Sequence, residues 1–213
     1  MMKIPVEKLG LFEQLDRIVV AFFSKQQSSS SYDLNISITQ EHLDRKKQEL
    51  EPLGYQAVQL PLGMALDNII QQPHYKNLIL GGLAPDEIIV SKEELIPLKD
   101  IVDSFCIMYA AANNRLENSK AYELMKDKMV YFIGKLFTDI PKAGDEIAYL
   151  GIDRIASDGT PYEAVKCFLT KESAEKYNGE KRPVTPANLA YLKSFWGKPV
   201  IIEPHRNYWI EFL

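Results

Sequence analysis

Ile36-Ser37-Ile38-Thr39-Gln40-Glu41 and Cys167-Phe168-Leu169-Thr170-Lys171-Glu172 read as the same local event twice. Each is an apolar strand end that feeds a helix. Each Thr is an N-cap candidate, because its hydroxyl can accept a bond from an orphan N–H of the first turn. Each Glu then falls in that first turn, where the helix dipole favours a carboxylate. The chemistry of both pairs is structural, and no catalytic role is needed to explain them.

Two further anchors flank this one in the same order in both halves. Upstream, Phe12-Glu13-Gln14-Leu15 leads to Val19–Phe23, and Tyr122-Glu123-Leu124-Met125 leads to Met129–Ile133. The two align without a gap, and both apolar runs read as buried strands. Downstream, a helix opens at Pro61-Leu62 and its counterpart at Thr185-Pro186, proline being favoured at the first helical position. Pro73 stops the first helix and Gly197 the second. A closing strand–turn–strand follows each: Leu78–Leu80 with Glu87–Val90 around Gly81–Asp86, and Val200–Ile202 with Tyr208–Phe212 around Glu203–Asn207.

The pattern predicts an α+β chain of two similar units, each a mostly antiparallel sheet packed with helices. The first unit is expected over 1–100, and a helical linker with the second unit over 101–213. Within each unit the order reads helix, strand, strand, helix, helix, hairpin. The linker reads as a helix near 92–112 behind Asp100, a break at Asn113-Asn114, and a helix near 117–127. The first unit turns through the polar loop Gln26–Ser31. The second instead carries Pro141–Asp145 and then two strand-like runs around Ser157-Asp158-Gly159-Thr160, where Asp-Gly is a hairpin signal. The second unit should therefore hold the fuller sheet.

Bulk composition limits the function classes. The 213 residues are 46 % apolar and 25 % charged, with a net charge of −4. That is ordinary globular composition, without the basic footprint of a nucleic-acid binder. No run approaches the roughly 18 apolar residues of a membrane span. The first five residues, Met-Met-Lys-Ile-Pro, begin no apolar signal stretch, so a cytoplasmic setting is expected. The two cysteines, Cys106 and Cys167, form no CxxC. The three histidines, His42, His74 and His205, are widely spread, so neither a zinc site nor any cofactor is expected. There is no GxGxxG, P-loop, HExxH or GxSxG.

One cluster remains as a candidate binding surface: Glu203, His205, Arg206, Tyr208 and Trp209. It joins a base that titrates near neutrality to a guanidinium and two aromatics within one turn and strand. Tyr208, Ile210 and Phe212 alternate with Trp209, Glu211 and Leu213, so one set is buried; Trp209 is expected either to pack under the adjacent helix, with His205 a solvated loop residue, or to face outward. An exposed Trp beside an Arg is typical of a recognition hot spot.

Tyr162–Thr170, Pro183–Trp196 and Val200-Ile201-Ile202-Glu203-Pro204 together resemble the SseB family, the enhanced-serine-sensitivity proteins. There a strand ends in a Phe-Thr-Ser/Asp-x-Glu pattern and a later strand in Ile-Asn-Pro. Here Phe168-Leu169-Thr170-Lys171-Glu172 and Ile202-Glu203-Pro204 stand for them, with Glu203 where the family favours Asn. The first unit resembles the family more faintly, and Leu80-Gly81-Gly82-Leu83 replaces the Asn-Pro step. The resemblance implies two tandem α+β modules and no established catalytic residues. The expected role is a non-enzymatic interaction or regulatory module with a protein partner. The alternative is an enzyme acting on a small anionic molecule at a cleft between the units, with His205 as base and Arg206 holding the anion.

Overall fold

The computed structural model describes residues 9–24, 32–82, 87–136 and 149–213. The expected loop at Gln26–Ser31, the start Met1–Pro5, the turn residues Leu83–Asp86 and the segment Pro141–Asp145 lie outside the described residues. The chain divides into two compact units, Met1–Cys106 and Ile107–Leu213.

In the first unit a short 3-10 turn, Leu11–Gln14, leads into β1 (Ile18–Ser24). Then come β2 (Tyr32–Ser37), α1 (Gln40–Leu50), β3 (Tyr55–Pro61), α2 (Leu62–Gln71), β4 (Tyr75–Gly81) and β5 (Ile88–Ser91). The sheet order is β3-β1-β2-β4-β5, with only the β2–β4 pair parallel. Val19, Ala21, Phe22, Leu34 and Ile36 are buried because β1 and β2 are interior strands. The linker is α3 (Lys92–Leu95), a 3-10 turn Ile96–Leu98 that accommodates Pro97, and α4 (Lys99–Ala112). Ser91 caps α3 in a reciprocal capping box with Glu94, whereas Asp100 lies inside the first turn of α4. The helix stops where expected. Asn114 takes a left-handed φ of 56°, and the Arg115 and Asn114 amides fold back onto the Ala110 and Ala111 carbonyls.

The second unit adds α5 (Asn118–Met125), β6 (Met129–Ile133), β7 (Gly151–Ile155) and β8 (Pro161–Phe168). It continues through α6 (Lys171–Lys176), β9 (Val184–Asn188), α7 (Leu189–Trp196), β10 (Val200–Ile202) and β11 (Ile210–Phe212). Its order is β11-β10-β8-β6-β9, with β7 added beside β8. Again only the pair β10–β8 is parallel. With β7 set aside, the two units share strand order and strand direction throughout. The β7–β8 hairpin closes over Asp158-Gly159, where Gly159 holds a φ of 86° and Asp158 accepts the Thr160 amide.

Three details differ from the sequence reading. First, the two helices of each unit are not consecutive; β3 and β9 intervene as edge strands. Second, Thr185-Pro186 does not open a helix. It lies in β9, with Pro186 opposite Tyr131, and the helix is capped three residues later by Asn188, which accepts the Tyr191 amide at 3.2 Å. An edge strand tolerates proline because its outward N–H has no ladder partner to lose. Third, the gapless alignment slips by one residue. Ile18 lies opposite Pro61 and Met129 opposite Asn188, so Ile18, not Val19, corresponds to Met129. The buried helical pairs Leu11/Leu15 and Ala121/Met125 keep the earlier offset, which places one extra residue between helix and strand in the second unit.

Candidate functional site

The β10–β11 turn places the five candidate residues on three different faces. Glu203 points inward and is 2 % exposed. It takes a left-handed φ of 51°, unusual for a residue with a Cβ. Its carboxylate accepts the Leu169 amide at 2.9 Å and the Ser173 hydroxyl at 3.1 Å, fastening the start of α6. Tyr208 is also buried. These two residues build the turn.

His205 stands exposed at the tip. Its ring stacks on Tyr177 with centroids 4.0 Å apart and planes 24° apart, and Tyr177 stacks in turn on the buried Phe168. The Lys166 Nζ lies 3.3 Å from His205 Nε2. Burial, and then the Lys166 charge, hold the His205 pKa below its ordinary value. Burial likewise lowers the pKa of the Lys166 amine. Among the described residues no carboxylate pairs with either. Arg206 is half-buried beside them.

Trp209 faces the other way and is 39 % exposed. The Arg154 guanidinium lies 5.0 Å from its ring centroid, within cation–π range. Behind them Glu211 accepts the Tyr162 hydroxyl at 3.0 Å, and its carbonyl accepts the Asn118 amide at 2.8 Å. Trp209 lines a cavity of about 590 Å³ together with Ala112, Asn114, Leu116, Glu117 and Asn207. A smaller cavity of about 360 Å³ lies around Tyr122, Lys193 and Lys198. His205 and Arg206 line neither.

The first unit contains a polar cluster that sequence reading did not single out. Ser37 Oγ is 2.7 Å from His42 Nδ1, and His42 Nε2 is 3.1 Å from Glu87, which also pairs with Lys46 at 2.8 Å. The order Ser–His–Glu resembles a nucleophile relay. Ser37 is only 3 % exposed, and the His42 and Lys46 contacts with Glu87 tie α1 to the residue that precedes β5. Sequence also missed Lys166, Tyr177 and Arg154. Each sits on a segment far from the turn it serves, and no local spacing links them.

Among the described residues, no three His, Cys, Asp or Glu side chains gather as a metal site. Burial pushes the Cys106 thiol up to about 12, and Cys167 is raised as well, so both behave as core residues. No helix of the described residues is long and apolar enough to cross a membrane.

No family model and no curated protein match the chain. Among solved structures, Anabaena Tic22 (protein transport) is similar over 92 % of each chain, at 13 % identity and a TM-score of 0.25. That likeness is too slight to carry an argument about fold or role.

Proposed function

We propose that this chain is a non-enzymatic interaction module of the SseB-like type, working in the cytoplasm, that holds a protein partner at the Trp209 cavity. The observation that carries the reading is Trp209 itself: a large aromatic, partly exposed, backed by Arg154 and lining a cavity whose wall mixes apolar groups such as Leu116 with polar ones such as Asn114 and Glu117. Tryptophan anchors in such settings contribute a disproportionate share of binding energy. The rim amides of Asn114 and Asn207 suit a peptide main chain, since each offers a donor and an acceptor.

The alternative, an enzyme acting on a small anion, places its base on His205. That ring stands on the exposed turn and faces neither cavity described above.

The test is affinity capture with the whole chain and with Trp209→Ala, followed by titration of the recovered protein. We expect a stoichiometric partner whose affinity falls by about thirtyfold in the variant. Equal binding by both forms, or no partner above background, overturns the proposal.

A further inference from the structure

The wall of the Trp209 cavity carries a charge pattern that bears on what enters it. Glu117 and Glu211 line it, and no lysine, arginine or histidine does. Glu211 is already matched. Arg154, outside the lining, pairs with it at 3.5 Å, and the Tyr162 hydroxyl donates to it at 3.0 Å. Glu117 is not matched. It is exposed, its side chain makes no capping bond to α5, and it has no ion-pair partner among the described residues. The cavity also lies at the C-terminal end of α4. Ala111 and Ala112 line it, and the 14-residue helix directs the negative end of its dipole there. Asn118 donates its amide to the Glu211 carbonyl at 2.8 Å, which leaves its Oδ1 as an acceptor.

We infer that the cavity receives an arginine side chain of the partner, its guanidinium held by the Trp209 indole and the Glu117 carboxylate. The inference rests on the docking reading above and names the chemistry of what docks. Trp209 supplies a partly exposed ring whose face carries negative potential. Arg154, 5.0 Å from the ring centroid, shows that this indole accepts a guanidinium beside it. Arginine suits the site better than lysine, because its planar fork offers five donors and stacks on aromatic faces. An anionic occupant would set like charge against Glu117, and an apolar one would strip water from an unpaired carboxylate.

The experiment titrates the isotopically labelled whole chain with the capped tripeptide acetyl-Gly-Arg-Gly-amide. A second titration uses the same peptide with citrulline, which keeps the shape and loses the charge. The readout is the Trp209 indole N–H resonance. Trp196, which packs on Phe132 and Tyr149 and lines neither cavity, is the internal reference. We expect saturable shifts at Trp209 and not at Trp196. The arginine peptide should bind at least about fivefold tighter than the citrulline peptide, the combined effect of one cation–π contact and one exposed ion pair. Glu117→Gln, at an exposed position that makes no capping bond, should weaken the arginine peptide about threefold and leave the citrulline peptide unchanged. Equal affinity for the two peptides overturns the inference, and so do a silent Trp209 resonance and a Glu117→Gln variant with the wild-type preference. The capture experiment decides the docking reading separately. A partner held through Trp209 while the arginine peptide is ignored overturns this inference alone. An arginine-selective cavity with no captured partner supports the guanidinium site and overturns the protein-partner reading.

Discussion

The same structural position is solved in opposite ways in the two units. Leu80 pairs with Ile36 and Ile202 with Cys167, so Gly81 and Glu203 follow equivalent strand ends. In the first unit His42 fills the space: a Cβ on Gly81 would stand 1.9 Å from its Nε2. In the second, Ser173 occupies the helix position of His42, three residues after the capping Thr, and the Glu203 side chain fills the gap. A large helix residue goes with glycine, and a small one goes with glutamate. Gly81→Ala should therefore destabilise the chain by about 1–3 kcal/mol, as overpacking does, because Ser37 and Glu87 clamp the ring that would have to move. Glu203→Ala should cost about 1–3 kcal/mol, because it leaves the Leu169 amide unpaired while the left-handed backbone persists. Urea denaturation of each variant checks both values. A change below about 0.5 kcal/mol in either is the size of an ordinary surface substitution and would contradict the argument.

At the scale of elements, the Thr caps of α1 and α6 were legible, whereas the Asn188 cap of α7 and the edge strands were not. Thr39 and Thr170 accept the His42 and Ser173 amides, as their position before a Glu-bearing first turn implied. The two bonds differ in length, 3.4 Å and 3.0 Å. Thr170→Ala should consequently cost about 1 kcal/mol and Thr39→Ala less, a ranking that paired denaturation curves read directly. β3 and β9 escaped notice for a physical reason. Edge strands have one exposed side, few fully buried residues and tolerance for proline, so their composition resembles a loop or a helix start. Gln72 shows the converse. Its extended backbone before Pro73 ends α2, a stop that the Pro alone announced.

At the scale of the whole molecule, acid stability follows from one carboxylate in each unit. Burial by itself would raise the Glu87 pKa, but Lys46 and His42 outweigh it and hold it below the usual range. Lys198 and then Tyr149 hold Glu163 low in the same way. A carboxylate with a depressed pKa when folded stabilises the fold above its unfolded pKa of roughly 4.3. That contribution is lost as pH falls through the lower folded value. We expect stability to be flat through the mildly acidic range where these carboxylates stay ionised, and to drop below about pH 4.3. Replacing either glutamate by Gln should flatten the drop in melting temperature, and an unchanged profile would count against these pairs as its source.

The sequence by itself determined the α+β class, the repeated pattern of strands and helices, and part of the local punctuation: which interior strands are buried, the Thr caps of α1 and α6, and where Asn113-Asn114 and Asp158-Gly159 turn the chain. These are short-range effects of burial periodicity, φ preference and capping, and all are written within a few residues. Only the tertiary structure decided the register of the copies, the edge strands and the faces of the candidate cluster. It turned Glu203 and Tyr208 into the core, set Trp209 on a cavity with Arg154, and brought Lys166 under His205 from 39 residues away. Such pairings depend on which strands become neighbours, a long-range outcome that residue spacing does not encode.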